Sequence, residues 1–366
     1  MKIIHCADLH LDSKMTANLD SKKAKERKIE LLNTFKSMID YASSNDVRAI
    51  IIAGDLFDKK AVTKTASNTV YQAIIDNPDI VFYYLKGNHD EDTFLDEMNE
   101  IPENLKLFND DWTTYRTGEN KQIVISGVNL SGENKDRVFN ELVLNNEDFN
   151  IVILHGQESM TSTKDKTEVI PIKSLRNKGI DYLALGHIHS YKEAELDKRG
   201  VYCYSGCLEG RGFDECGEKG FVLLDIDETN KSSKREFVPM SKRIFYSIDV
   251  DISGLGNSEE IYNKIKKALK ENKCYEESLV KIVLKGEIDA FCEKDIDYIL
   301  KQFEDYFYFV KIYDETKLKV TYEDFKLDES LKGEFVRLVL AKEDMSEEEK
   351  AEIIRCGINI LSGEEV

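Results

Sequence analysis

The chain has 366 residues, enough for two or three domains at about 150 residues each and for a sizeable buried core. Its 51 Lys+Arg against 70 Asp+Glu give a formal charge of −19, and 41% hydrophobic with 33% charged residues describes a globular chain, not a disordered or fibrous one. No apolar run approaches the roughly 18 residues of a membrane-spanning helix, and Asp8 follows Ile3-Ile4 too closely for a signal peptide, so a cytoplasmic protein with no membrane partner is expected.

Up to about residue 190, short apolar runs alternate with helical patterns, which predicts a layered α/β domain. Ile3-Ile4 and the runs at 49–53, 80–85, 151–154 and 182–185 read as buried strands. Between the first two, Ile29, Leu32, Phe35, Ile39 and Ala42 recur at three- and four-residue steps and predict a helix face packed on the sheet. Beside that stripe, Lys22, Lys23, Lys25, Arg27 and Lys28 form a basic cluster, read as a solvated helix face in preference to a phosphate contact. A second helix is expected over 65–76. At 201–204, 221–225 and 235–238 the rhythm changes to strands joined by turns, which reads as an antiparallel second sheet closing the domain. Next come a strand at 246–252, a helix capped by Asn257 with Glu260, a strand at 279–284, a helix at 295–303 and a strand at 307–313. That β-α-β-α-β order predicts a separate small domain. Leu331, Phe335, Leu338 and Val339 then form an apolar stripe, and Ser346 with Glu349 caps a last helix carrying Ile353, Ile354 and Ile358. The expected partition is a domain over 1–242, a small α+β domain over 243–325 and a helical segment over 326–366.

Seven cysteines without a CxxC pair read as thiols in a reducing compartment. Cys203, Cys207 and Cys216 lie close together, but their spacing fits no zinc motif. The histidines carry more. They number six, and five follow predicted strands: His10, His89, His155, His187 and His189. Asp8 accompanies them in Asp8-Leu9-His10, Asp55 in Gly54-Asp55-Leu56-Phe57-Asp58, and Asn88 in Gly87-Asn88-His89-Asp90. Ligands of open α/β sheets gather outside the carboxyl ends of the strands, so these strands would deliver their polar residues to one edge. Carboxylate, imidazole and amide oxygen without thiolate suit Mn²⁺, Fe²⁺ or Zn²⁺. Seven candidate ligands are too many for one catalytic ion and suit two ions sharing a bridging carboxylate. Such a pair generates hydroxide at neutral pH and clamps the oxygens of an in-line displacement at phosphorus. Glycines 54, 87, 156 and 186 are expected to turn the chain sharply at the strand ends, and His5 to serve the core or support the site.

At these residues the chain resembles the calcineurin-like metallophosphoesterases, whose pattern D-x-H, G-D, G-N-H-D/E, H and G-H-x-H stands here in order. Ala7-Asp8-Leu9-His10-Leu11-Asp12 and Gly54-Asp55-Leu56-Phe57-Asp58 are similar to the SbcD-type DNA repair nucleases. Tyr204-Ser205-Gly206, Gly210-Arg211, Gly217-Glu218-Lys219-Gly220 and Ser330-Leu331-Lys332-Gly333-Glu334-Phe335 are similar to the YhaO-type members. The resemblance implies a sandwich of two mixed β-sheets flanked by helices (αββα), with the small α+β domain capping the site and sorting DNA ends. It implies that Asp8, His10, Asp55 and His189 hold one Mn²⁺ and that Asp55, Asn88, His155 and His187 hold a second, with Asp55 as the bridge. His89 would be the catalytic histidine and Asp58 its orienting partner. The implied activity is that of a DNA nuclease, a 3′→5′ exonuclease with single-strand endonuclease activity. Two such subunits would work with an SMC-like coiled-coil ABC ATPase that supplies the DNA grip an acidic chain lacks, docked on the C-terminal helices. A nucleotide or small-molecule phosphodiesterase and a non-catalytic scaffold are the alternatives.

Overall fold

The structure is a computed structural model, and it describes the chain apart from residues 16, 59–61, 91–92, 97, 99, 136, 160–168, 290–291, 320–324, 326–327 and 363–366. The chain divides into two units, Met1–Phe245 and Tyr246–Val366. In the first, the strands are β1 (Lys2–Cys6), β2 (Val47–Ala53), β3 (Val81–Leu85), β4 (Leu105–Leu107), β5 (Thr113–Thr117), β6 (Ile123–Gly127) and β7 (Phe149–His155), followed by β8 (Gln157–Ser159), β9 (Val169–Pro171), β10 (Tyr182–Gly186), β11 (Lys192–Glu195), β12 (Val201–Tyr204), β13 (Gly220–Asp227) and β14 (Ser232–Pro239). Among the described residues they build two six-stranded sheets, ordered β14-β13-β1-β2-β3-β4 and β11-β12-β10-β7-β6-β5, and a small β8-β9 pair. Each large sheet has a parallel centre with antiparallel strands at its margin.

The central strands are mostly apolar because both of their faces are buried, Arg48 at the start of β2 being exposed. In β2, Ile50 and Ile52 join Phe35 and Met38 of the helix Ser21–Ser44 and Val70 of the helix Lys64–Ile75 in one core. The alternate residues Ala49 and Ile51 meet Ile151, Ile153 and Tyr182 of the other sheet in a second core. The far face of that sheet, with Val152, Leu154 and Leu183, packs on Phe139, Ile172 and Leu175. The layers are helix, sheet, sheet, helix, the sandwich expected. The strands after residue 200 do not form a sheet of their own, however. β12 lies parallel beside β10, while β13 and β14 extend the first sheet antiparallel to β1. Turn residues predict that neighbours reverse; they carry no information on which sheet receives a strand. β5 and β6 are not among the expected strands.

Asp20 starts the first helix, its carboxylate accepting the N–H groups of Lys22 (2.8 Å) and Lys23 (2.9 Å). The buried face of that helix differs from the expected one. Ile29 is 59% exposed, and Arg27, assigned above to a solvated basic face, is fully buried. Its guanidinium donates to Glu30 (2.6 Å), Glu209 (2.7 Å) and the carbonyl of Gly210 (2.9 Å), and Arg243 closes on Glu30 at 2.8 Å. Periodicity tracks apolar side chains and is blind to a charge buried with its partners. Arg27→Ala leaves Glu30 and Glu209 short of a counter-charge and is expected to lower the unfolding free energy in urea by about 3–5 kcal/mol, whereas Lys22→Ala at the exposed end of the cluster stays within about 0.5 kcal/mol.

In the second unit, strands 245–251, 279–285 and 309–314 form a sheet in that order. The helices Ser258–Glu271 and Ile296–Glu304 cover it, Ile261, Ile265, Ile299 and Phe303 sharing a core with Ile248, Val280 and Ile282. Two further helices, Leu331–Leu340 and Glu347–Ser362, pack on each other through Val336, Val339, Ile354 and Ile358. Of the apolar stripe expected there, Leu331 and Leu338 are instead 70% and 60% exposed, because the contact with the second helix falls on Val336 and Val339. Residues 326–327 and 363–366 of the expected helical segment lie outside the described residues. Among the described residues no helix is long and apolar enough to cross a membrane.

Candidate metal centre

The candidate residues sit at the carboxyl ends of β1, β2 and β3 in one sheet and of β7 and β10 in the other. They meet where two sheet edges converge, not along a single edge as expected. The loop after β1 is held to the loop after β2 by three backbone hydrogen bonds: Asp8 N–H to Gly54 O (3.0 Å), His10 N–H to Asp55 O (2.9 Å) and Leu11 N–H to Leu56 O (3.0 Å). These loops put Asp8 (φ 52°), His10 (φ 42°), Asp12 (φ 69°) and Asp55 (φ 53°) in the left-handed region, and His187 has φ 101°. Such backbone costs about 1–3 kcal/mol per residue and concentrates at functional sites. Gly54 has φ 92°, and a Cβ there would lie 2.2 Å from Nδ1 of His155. Gly87 and Gly186 have no left-handed φ, so their role differs from the expected sharp turn. They supply room: a Cβ on Gly186 would meet the Ala53 carbonyl at 2.0 Å, and one on Gly87 would meet Asp55 Oδ1 at 2.1 Å.

Among the described residues, three groups of side chains each bring ligand atoms within 4.8 Å of one another: Asp8, His10 and His189; Asp8, Asp55 and His155; and His10, Asp58 and His89. Nε2 of His10 faces Nε2 of His189 at 3.2 Å. Asp55 Oδ2 lies 3.6 Å from His10 Nε2 and 3.4 Å from His155 Nε2, and Asn88 Oδ1 is 2.9 Å from the same His155 nitrogen. Asp8 is thus common to two groups, while Asp55 reaches histidines of both. His187 stands outside the three. Its ring centre is 5.4 Å from that of His155, and its backbone N–H donates to both oxygens of Asp8 at 2.8 and 3.1 Å. His89 is about a third exposed, with Nδ1 3.0 Å from Asp58 Oδ1, and its backbone N–H donates to Asp55 Oδ1 at 2.9 Å.

Asp8, His10 and Asp55 are buried. Burial pushes Asp8 up to about 6. At Asp55 burial acts in the same direction, but the hydrogen bond and charge of His155, with the charge of His10, outweigh it and hold the carboxyl well below the usual carboxylate range. Burial, aided by the charge of Arg211, pushes His10 down to about 2. A neutral imidazole is the form that binds a metal. Paired buried carboxylates and imidazole nitrogens turned toward one another fit divalent cations of the Mn²⁺, Fe²⁺ or Zn²⁺ type.

The residues that hold this set in place carry no expected role in the sequence. Glu215 is buried, and its Oε1 accepts from His189 Nδ1 at 2.7 Å and from Arg211 Nη2 at 2.8 Å. Asp90 accepts the backbone N–H groups of Leu56, Phe57 and Gly87, tying the β2 and β3 loops together. Arg211 and Asp90 stand inside quoted motifs, but only the fold reveals their partners. His5 lies within β1 and is buried, with Nδ1 2.8 Å from the Tyr182 hydroxyl, and burial pushes it down to about 3. Glu215→Gln, which removes the charge that fixes the His189 ring, is expected to weaken Mn²⁺ binding by roughly 10–100-fold in a metal titration while the fold persists.

Residues 1–191 match the family model described as calcineurin-like phosphoesterase, just over half of the chain. The chain is 26% identical over 299 residues to the uncharacterized metallophosphoesterase YhaO of Bacillus subtilis (strain 168), covering 78% of this chain and 72% of that one. It is 24% identical over 297 residues to the DNA double-strand break repair protein Mre11 of Aeropyrum pernix, covering 74% of this chain and 67% of that one. With the Mre11 protein of Sulfolobus acidocaldarius it shares 24% identity over 360 residues, 91% of each chain.

Proposed function

This chain belongs to the calcineurin-like phosphoesterases, and from that premise we propose that it is a DNA nuclease that hydrolyses phosphodiester bonds in DNA repair, as a 3′→5′ exonuclease with single-strand endonuclease activity. The observation that carries the catalytic part is the His89–Asp58 pair, partly exposed beside a buried cluster of carboxylates and imidazoles. The choice of DNA rests on the similarity to two proteins named for double-strand break repair.

In this reading Asp8, His10, Asp55 and His189 would hold one Mn²⁺, and Asp55, Asn88, His155 and His187 would hold a second. Bound there, the ions would polarise the phosphate and activate water. The chain's own residues do the rest. Asp55 separates the two positions with one carboxylate. Glu215 fixes the ring of His189, and Asp90 fixes the loops that present Asp55 and Asn88. Asp58 holds Nδ1 of His89, so that the ring can deliver a proton to the departing 3′-oxygen, a poor leaving group without one.

The reading includes a partner, an SMC-like coiled-coil ABC ATPase. Exposed Leu331, Leu338 and Ile360 on the packed C-terminal helices offer apolar side chains for a helix-in-groove contact. Deleting residues 329–366 is expected to abolish co-purification of such an ATPase; unchanged co-purification would remove the docking assignment. The seven cysteines are free, which suits the reducing cytoplasm where this reading places the protein.

The test is Mn²⁺-dependent cleavage of end-labelled linear DNA beside a chromogenic phosphodiester. Stepwise shortening of the DNA is the expected result, and the position of the label gives the direction. Chromogenic turnover with DNA left intact, in the presence of the ATPase as well, would favour a nucleotide or small-molecule phosphodiesterase, a substrate class for which a net charge of −19 is less of an obstacle.

A further inference from the structure

We propose that the second unit carries a nucleoside-phosphate site of its own, in a cavity of about 570 Å³ lined by the helix Ser258–Glu271, the end of the helix Ile296–Glu304 and the residues just after it. The volume is in the range of small-molecule sites and takes one nucleotide.

Two kinds of side chain line it. On the apolar side the ring of Tyr262 stacks on Phe303, with centroids 5.2 Å apart and planes 28° from parallel, and Tyr306 is half exposed. On the polar side are Lys266, Lys270 and Lys273, the first two one helical turn apart and therefore on one face. The Lys266 ammonium lies 5.7 Å from the centre of the Tyr262 ring. Among the described residues none of these three lysines makes an ion pair, although Lys267 beside them pairs with Glu271 at 3.8 Å. Among the described residues no carboxylate lines the cavity.

In a chain of net charge −19, these three ammonium groups gather positive charge beside aromatic rings, with no carboxylate among the described lining residues. That selects an anion and excludes a metal cation. A bare phosphate would leave the rings unused, and an apolar ligand would desolvate the ammonium groups without a counter-charge. A planar base joined to phosphate satisfies both, the base on the aromatic side and the phosphate among the lysines, as in single-stranded nucleic-acid sites. The preference for a nucleotide over other planar anions rests on the nuclease reading. The ligand is either a free mononucleotide, the product of exonucleolysis, or the unpaired end of a strand.

The test uses the full chain in EDTA, so that no cleavage occurs, with dAMP, a fluorescein-labelled ten-residue oligothymidylate and inorganic phosphate as probes. The unaltered chain is expected to bind the oligonucleotide, and Tyr306→Ala to weaken that binding about tenfold, the loss of one stacked base. Lys266→Gln with Lys270→Gln is expected to lower the salt dependence of binding by about 0.7 per lysine. The neighbours of these three side chains stay in place, which an unchanged thermal midpoint would verify. Binding of dAMP sensitive to the same substitutions assigns the site to the free nucleotide; sensitivity of the oligonucleotide alone assigns it to the strand. The proposal is overturned if neither variant alters the binding of either probe, or if inorganic phosphate displaces them as well as dAMP does. Cleavage of linear DNA by the unaltered chain in Mn²⁺ decides the nuclease reading separately.

Discussion

Replacing His89 with alanine is expected to slow DNA hydrolysis by roughly 10²–10⁴-fold, the contribution of a positioned general acid, while bound Mn²⁺ remains. The expectation follows from where the side chain stands. His89 is partly open to solvent and its Nδ1 is engaged by Asp58, whereas two of the candidate ligands, His10 and His155, are buried among carboxylates. The size of the loss should depend on the leaving group. A 3′-alkoxide needs a proton as it departs, and a nitrophenolate hardly does, so the chromogenic diester should lose much less than DNA. A proton donor produces that difference between substrates; a metal ligand does not. His89 also falls within 4.8 Å of ligand atoms on His10 and Asp58, which gives the opposite outcome a physical basis. If metal content falls together with activity on both substrates, His89 is a ligand.

Asp55→Ala is expected to act in the reverse sense, emptying the centre first. Asp55 Oδ2 stands between His10 and His155, and its other oxygen accepts the backbone N–H of His89. Removing a residue that merely orients a ligand costs roughly 10–100-fold in metal affinity. Loss of the carboxylate between two cations should exceed that, leaving purified protein without stoichiometric metal and activity at background. Retained metal would refute the bridging role. The substitution has a second signature without metal. Because the folded protein holds the Asp55 carboxyl below its ordinary range, its ionised form adds stability that is complete above about pH 4 and is lost as the pH falls toward the depressed value. Denaturation in EDTA over that acid range should therefore be less steeply pH-dependent in Asp55→Ala than in the parent.

How far the sequence discloses this molecule can be followed residue by residue. Strands such as β2 and β10 are legible because both faces are buried and the run 49–53 of β2, like 182–185 of β10, is wholly apolar, and the chemistry is legible because histidines and aspartates recur just beyond them. The assignment of β12, β13 and β14 to sheets is not, since it depends on pairings far apart in the chain. Burial of Arg27 is equally hidden, because it depends on Glu209, 182 residues away. The same holds within the site. Asp8, His10, Asp55 and His155 belong to short motifs and are found by pattern, whereas Glu215 acquires its role only when the β10 loop brings His189 against it.

Convergence of two sheet edges at the centre has a thermodynamic consequence. The donors belong to strands that are neighbours only in the native state, so a cation held by Asp8 or Asp55 together with His155 and His189 fastens one sheet to the other, and the unfolded chain offers nothing comparable. Ligand that binds only the native state raises its stability by mass action, by about 2.7 kcal/mol when its free concentration is a hundred times its dissociation constant. With a cation held there, the melting temperature would gauge cation activity in the surroundings, and chelation would loosen the two sheets as well as silence the proposed chemistry between them.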